Sequence, residues 1–136
     1  MNAQERDPLT EPHESWALEA ARAAAAKHGH DTVVLDVGDV IAITDHFVIT
    51  SGGNTRLVRG IVEEVEKRIV EAGGPGPTRI EGRDDLRWVL MDYGDFVVHV
   101  FLQEARDYYE LERLWSDVAR VTWDDSSARE AAVAGE

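Results

Sequence analysis

Apolar side chains recur at helical spacing in two parts of the chain. Residues 15–28 read SWALEAARAAAAKH, an alanine-rich stretch that stops before Gly29. After Asn54, apolar residues return every four positions at Leu57, Ile61, Val65 and Ile69. This spacing places them on one helix face, asparagine is a common N-cap, and the GGPGP stretch at 73–77 ends the pattern. We therefore predict helices over residues 15–28 and from Asn54 to about residue 72.

Short apolar runs elsewhere have the composition and alternation of β-strands. They occupy residues 32–37, 46–51, 78–80, 87–93 and 96–102, and residues 40–43 are predicted to continue the first run beyond a turn. Gly94 and Asp95 separate the last two runs, so these runs should form an antiparallel hairpin. Apolar residues at three- and four-residue steps predict a further helix over residues 105–115.

The order of these elements indicates the fold class. Helix, strand, strand, helix, strands, helix is typical of a single α/β domain with a mixed sheet of about five strands flanked by helices. We assign residues 15–118 to this domain. Residues 1–14 are polar with two prolines and are predicted to be a flexible leader, and residues 119–136 are predicted to be an acidic, disordered tail.

The charge of the chain limits the classes of partner that it can bind. It carries 27 acidic and 14 basic residues, a formal net charge of −13. Such a surface repels phosphate backbones, which argues against direct DNA binding and favours a basic protein partner. The absence of cysteine excludes disulfides and thiolate metal sites. We see no signal peptide and no apolar run of the roughly 20 residues that a membrane helix needs, so we expect a cytoplasmic protein without membrane contact.

His99 interrupts the last apolar strand and is the first candidate for chemistry. Because strand side chains alternate, it shares a face with Val97 and Phe101. A nucleophilic site would need an activating motif such as G-x-S-x-G, which the chain lacks. A zinc site would need further ligands at ordered spacing, which the other histidines do not offer. We therefore interpret His99 as a structural or interface residue held by a hydrogen bond, and we predict no metal site.

Acidic pairs and a glycine-rich loop leave one enzymatic alternative open. Asp36 with Asp39 and Asp92 with Asp95 lie at strand ends, where carboxylates can hold Mg²⁺. The SGGN loop at 51–54 precedes a helix, whose N-terminus can bind phosphate. However, no strand carries a D-x-D or D-x-E pair, and the loop lacks the lysine of a P-loop. We interpret these acids as turn residues and keep a Mg-dependent, nucleotidyltransferase-like enzyme as the alternative.

Trp88 lies on a strand whose two faces are both largely apolar. It alternates in phase with Leu90 and Asp92, while Val89 and Met91 point to the opposite face. Buried, Trp88 would belong to the core. Exposed, it would be an anchor for a partner, because aromatic residues dominate binding hot spots. The sequence leaves both interpretations open.

Three stretches carry a resemblance to a known family. They are ITDHFVITSGGNTR at 43–56, EG-x₅-WVLMDYGDFVVHVF at 81–101 and RDYYELERLW at 106–115. In this order they resemble the ribosomal silencing factor family, also called RsfS or Iojap-like, over roughly residues 16–118. Two departures are small: His46 stands where the family often has tyrosine, and Asn54 stands where serine is usual.

The resemblance implies a binding protein rather than an enzyme. The family frame is similar to that of nucleotidyltransferases but lacks their catalytic acids, and it needs no cofactor. Family members bind the large ribosomal subunit through its fourteenth ribosomal protein and sterically block joining of the small subunit. They thereby repress translation, notably during starvation, and they pair as homodimers when off the ribosome.

The resemblance also implies which residues meet the basic ribosomal protein. Carried over by position, these are Asp45, Glu81, Trp88, Leu90, Asp92, Arg106, Tyr109 and Glu112. Structural roles fall to His99 in the hairpin, Asn54 at the helix start and Gly94 in the turn. Tyr109 could equally pack the last helix onto the sheet. A homodimeric scaffold, in which the apolar sheet face is only a self-interface, remains a further alternative.

Overall fold

The computed structural model describes residues 12–123 of the 136-residue chain. Its helices are α1 (Pro12–Ala26), α2 (Thr55–Glu71), α3 (Gln103–Tyr109) and α4 (Leu111–Leu114). Its strands are β1 (His30–Asp36), β2 (His46–Gly52), β3 (Arg79–Glu81), β4 (Trp88–Asp92) and β5 (Phe96–Leu102). None of the helices in this part of the chain has the length and apolar character that a membrane span requires.

The five strands form one mixed sheet in the order β1-β2-β5-β4-β3. Only β2 and β5 are parallel, and the other three neighbouring pairs are antiparallel. The predicted α/β class, the five-stranded sheet and the antiparallel β4–β5 hairpin are therefore confirmed. Gly94 in the hairpin turn has a φ of 87°, in the left-handed region that glycine adopts without strain.

Helices α1 and α2 cover one side of the sheet, which we call the first face. Val48, Val89, Val98 and Val100 point to this face and pack with the alanines of α1 and the apolar stripe of α2. The side chain of Asn54 accepts the N–H of residue 57 at 2.9 Å and so caps the start of α2. The first face is thus the main core of the domain.

Within residues 12–123, the second face of the sheet is covered only in part. Its smaller core consists of Leu35, Val37, Ile49, Phe101 and Ala105. Partly buried side chains of α4 and of the segment that follows it, Leu111, Trp115 and Val118, pack against this core. The second-face residues of β3 and β4 remain partly or fully exposed. The domain therefore leaves half of one sheet face open.

Two predicted elements differ from the structure. Residues 40–43 form a turn rather than a strand continuation, because the N–H groups of Val40 and Ile41 both bond to the carbonyl of Val37. The helix predicted over 105–115 is broken at Glu110, which has left-handed backbone angles of 51° and 49°. The break brings Glu112 to Arg106, six residues earlier, a pair that an unbroken helix would place about 120° apart around its axis.

The chain after α4 returns to the edge of the sheet. Residues 119–121 run beside β1: the N–H of Asp36 bonds to the carbonyl of Ala119, and the N–H of Val121 bonds to the carbonyl of Val34. The indole N–H of Trp123 donates to the carbonyl of Thr32 at 2.9 Å. The folded part therefore extends past the predicted boundary at 118, and residues 12–14 of the predicted leader are helical. The rest of the predicted leader and tail lies outside the described residues.

Candidate functional site

The uncovered part of the second face is built by alternate residues of two strands. Arg79 and Glu81 come from β3, and Trp88, Leu90 and Asp92 come from β4. The register places Glu81 beside Leu90 and Arg79 beside Asp92. We call these five residues the open patch. It combines an aromatic ring, an aliphatic side chain and two carboxylates on rigid strands.

Trp88 lies where the covered and uncovered halves of the second face meet. Its ring packs against Phe101 and Tyr109, with centroids 4.7 and 5.0 Å away. Its indole N–H donates a hydrogen bond to Nδ1 of His99 over 3.1 Å. The side chain is partly buried: these contacts hold one part of the ring, and the rest of its surface faces solvent. An anchored aromatic of this kind is typical of binding hot spots.

His99 is almost fully buried, with 4% of its surface exposed. Because Nδ1 accepts the bond from Trp88, the proton of the neutral ring resides on Nε2. Burial lowers the pKa of His99 to about 4, so the ring is neutral at physiological pH. Phe47 packs edge-on against the imidazole, with centroids 4.7 Å apart. These contacts describe a hydrogen-bond acceptor inside an aromatic cluster.

The charged residues of the open patch form weak surface ion pairs with one another. Oδ1 of Asp92 accepts the N–H of Gly94 at 2.9 Å, and Oδ2 lies 3.5 Å from the guanidinium of Arg79. Arg79 also meets Glu81 at 3.1 Å. Solvent screens such surface pairs, and they contribute little to stability. Two carboxylates against one guanidinium leave a net negative charge that a lysine or arginine of a partner can engage.

Asp45 and Tyr109 border the open patch at opposite ends of β4. The backbone N–H of Asp45 donates to the carbonyl of Asp95 at 2.8 Å, which places it near the end of β4 where Asp92 lies. Since β5 intervenes between β2 and β4, the two acids are separated by at least two strand spacings, about 10 Å. Tyr109 is 52% exposed and contacts Trp88 at the other end. The structure thus groups six of the eight predicted contact residues.

Arg106 is a correction to the predicted contact set, because it lies inside the domain with 5% exposure. Its guanidinium donates to the carbonyls of His30 and Asp31 at 2.8 and 2.7 Å and to the hydroxyl of Ser51 at 3.0 Å. It also forms a two-point pair with Glu112 at 2.7 and 3.3 Å. Arg106 therefore ties α3 to β1 and β2, and it has no donor left for a partner.

Glu112 has the same structural role as Arg106. Burial alone would raise the pKa of Glu112, but the hydrogen bond and positive charge of Arg106 outweigh burial and hold the pKa below its usual range. The carboxylate is therefore already engaged within the chain. The helix break at Glu110, which brings the two side chains together, has no signal in the helical periodicity of 105–115.

Other surface residues were missed by the sequence reasoning. Arg79 belongs to the open patch, and strand alternation from Glu81 would have found it. Tyr108 and Leu114 are 77% and 79% exposed and line a shallow pocket beside Tyr109. The broken helix turns these side chains outward, which an unbroken helix model of 105–115 does not predict.

The two halves of the enzymatic alternative lie at opposite ends of the sheet. Asp36 ends β1 and Asp92 ends β4, and both strands run antiparallel to β2, so both acids lie where β2 begins. The SGGN stretch lies at the other end of this seven-residue strand and includes its last two residues, on the order of 15–20 Å away. The hydroxyl of Ser51 is buried and donates to Gln103 at 2.7 Å. Within residues 12–123, no cluster of three or more metal-ligating side chains occurs.

Gly82 fixes the backbone beneath the tryptophan. It has a φ of 83°, and a side chain added there would overlap the carbonyl oxygen of Trp88. Only glycine satisfies both the left-handed angle and this close approach. The turn that starts at Gly82 therefore sets where β4 begins and where Trp88 enters the open patch.

Comparisons with known proteins give one consistent result. The family model described as "Ribosomal silencing factor during starvation" matches residues 10–136. A ribosomal silencing factor RsfS from Bacillus subtilis is 40% identical over 98 residues, which are 72% of this chain and 82% of that protein. "Mitochondrial assembly of ribosomal large subunit protein 1" from Mus musculus is 35% identical over 66% of this chain and 40% of its own length.

The fold agrees with this result. The X-ray structure of a protein from Chromobacterium violaceum superposes with a TM-score of 0.72 and 32% sequence identity. The match covers 76% of this chain and 85% of that one.

Proposed function

This chain belongs to the ribosomal silencing factor family, and from that premise we propose that it binds the large ribosomal subunit and blocks joining of the small subunit. The proposed contact is the fourteenth protein of the large subunit, and the proposed surface is the open patch with Asp45 and Tyr109 at its borders. The observation that carries the proposal is Trp88, an anchored but partly exposed aromatic on the same sheet face as two carboxylates.

The chemistry of the open patch favours a basic protein partner. Trp88 and Leu90 supply apolar contact, and Glu81 and Asp92 supply negative charge. The net charge of −13 attracts a cationic surface and speeds the encounter. The same charge disfavours direct contact with ribosomal RNA. The mouse relative, whose name refers to assembly of the ribosomal large subunit, supports the choice of subunit.

The mechanism requires no reaction. A bound domain occupies the volume that the small subunit needs, so the two binding events exclude each other. The strength of the block follows the concentration of the protein relative to its Kd, by mass action. We place this action in the cytoplasm. We also propose that the chain forms homodimers when off the ribosome.

Co-sedimentation with isolated large subunits tests the proposal. We expect Trp88→Ala to weaken binding about 30-fold, the equivalent of a hot-spot loss of about 2 kcal/mol. The matched control is Trp123→Ala, because Trp123 is also partly buried and bonded through its indole but lies at the opposite edge of the sheet. Addition of small subunits to the same mixtures then measures the block itself. Equal binding of both variants and the wild type would refute the assigned surface.

Sedimentation velocity of the free Trp88→Ala variant measures its self-association and so tests the alternative of a homodimeric scaffold. If the variant loses self-association but still binds large subunits, the open patch is a self-interface and the proposed contact is wrong.

Equilibrium binding of ATP with Mg²⁺ tests the alternative of a nucleotidyltransferase-like enzyme, since tight saturable binding would favour that alternative.

Replacement of the two carboxylates of the open patch by amides tests whether their negative charge attracts the partner. We expect Glu81→Gln with Asp92→Asn to slow association with large subunits severalfold at low salt and much less at high salt. Asparagine keeps the Oδ1 that accepts the N–H of Gly94, so the hairpin turn survives. Glu63→Gln, on an exposed position of α2, is the control. A double variant that associates as fast as the control would contradict the charge argument.

A further inference from the structure

We infer that His99 is the positioning residue that holds Trp88 in its binding orientation, and this inference rests on the proposed function of the open patch. His99 itself contacts no partner, because 4% of its surface is exposed. It acts through the single hydrogen bond from the indole N–H to Nδ1, over 3.1 Å.

The strand register determines why these two side chains meet. Leu90 lies directly opposite His99, and Trp88 lies opposite Phe101, so Trp88 and His99 are diagonal neighbours on the second face. The Cβ atoms of a diagonal pair are several ångströms farther apart than those of a directly opposed pair, a distance that an aromatic side chain can span. The indole spans this gap with its N–H pointed at Nδ1 of His99, and the two ring centroids lie 6.0 Å apart.

The imidazole is held in turn by its own neighbours. Phe47 packs edge-on against it at 4.7 Å, and the ring of Phe101 lies nearly parallel to it with centroids 6.4 Å apart. Rotation of His99 away from Trp88 would break this packing. The acceptor atom is therefore fixed in space before any partner arrives, which is what preorganisation of a contact residue requires.

His99 is a poor choice for packing alone. Its Nε2 is buried and has no hydrogen-bond partner among the described residues. A buried polar atom without a partner is unfavourable, so a leucine would fill this site at a lower cost. What leucine cannot supply is an acceptor for the indole. A polar residue that is locally unfavourable but orients an exposed aromatic is typical of a functional site.

The expected consequence is a loss of order in Trp88 rather than a loss of fold. With leucine at position 99, the indole N–H turns to solvent and the ring samples more than one orientation. Re-ordering one such side chain on binding weakens affinity about 2- to 12-fold. Asparagine at position 99 places Oδ1 near the position of Nδ1 and restores an acceptor.

Two measurements on the full chain test this inference. The first is the indole ¹H–¹⁵N NMR signal of Trp88 in the free protein, assigned by its disappearance in Trp88→Phe. We expect His99→Leu to shift this signal and to speed its exchange with solvent, and His99→Asn to preserve it. The second is binding to large subunits, where we expect the 2- to 12-fold loss for His99→Leu and near wild-type binding for His99→Asn.

The double variant decides whether His99 acts through Trp88. In a Trp88→Ala background, His99→Leu should cause no additional loss of binding. An additional loss of the same size would overturn the inference, and so would an unchanged Trp88 signal in His99→Leu. If the wild-type chain itself fails to bind large subunits, the proposed function fails, and the NMR comparison alone decides whether His99 orients the indole. Should His99→Leu not fold, His99→Phe replaces it in every arm.

Discussion

Acidification should destabilise this domain through His99, and the sign follows from its pKa. Burial lowers the pKa of His99 from 6.5 to about 4. Between these values the unfolded chain binds a proton that the folded chain excludes, so acid favours unfolding. The contribution of His99 to stability is therefore complete above pH 6.5 and is lost as the pH falls from 6.5 to 4.

The magnitude follows from the two pKa values. Linkage between pH 8 and pH 5 gives a loss of about 2 kcal/mol in the free energy of unfolding, and the full shift corresponds to about 3 kcal/mol below pH 4. No neighbouring charge is among the causes of this shift, so added salt should change it little. Other titrating groups also change stability over this range, which makes a matched variant necessary.

Urea unfolding of the wild type and His99→Asn at pH 8, 6.5 and 5 isolates the effect. Asparagine does not titrate, and the other groups are common to both proteins. We expect the difference in unfolding free energy between the two proteins to move by about 2 kcal/mol in favour of the variant from pH 8 to pH 5. A difference that stays constant within about 0.5 kcal/mol would refute the reasoning, because His99 would then titrate alike in the folded and unfolded chain.

Two further substitutions test which interactions stabilise the domain. Gly60 lies inside α2, and a methyl group added there meets nothing within 4 Å. Gly60→Ala should therefore raise the free energy of unfolding by about 0.5–1 kcal/mol in urea denaturation, and a decrease would show a hidden clash. Arg106→Met should lower it by about 3 kcal/mol, because Glu112 and two backbone carbonyls lose their donor. Arg113→Met, at an exposed ion pair, is the control and should change it by less than about 1 kcal/mol.

The sequence predicted most of the fold because local patterns decide most of it. The apolar stripe of α2, its asparagine cap and the hairpin turn at Gly94 are short-range signals, and the structure shows all three. The break at Glu110 has no such signal. It accompanies an arginine of α3 that bonds to carbonyls of β1, some 75 residues earlier in the chain. Periodicity within a window does not encode a contact of that range.

The candidate site was predictable in part for the same reason. Strand alternation placed Trp88, Leu90 and Asp92 on one face, and the structure shows that arrangement. Whether that face was open depends on how far α3, α4 and the following segment extend across the sheet. Arg106 belongs to the same motif as Tyr109, yet one is buried and the other exposed. A motif gives residue identity, whereas burial is a property of the assembled domain.

The return of residues 119–121 along β1 has a consequence for how the protein tolerates truncation. This segment satisfies backbone groups of β1 that would otherwise be unpaired. The other sheet edge, β3, is three residues long and carries the charged Arg79 and Glu81, which discourage another strand from adding to it. A chain cut after residue 118 would therefore keep the open patch but expose a longer, more apolar edge that can template intermolecular β-pairing. A chain that ends at residue 118 should oligomerise through β1 rather than through the binding face.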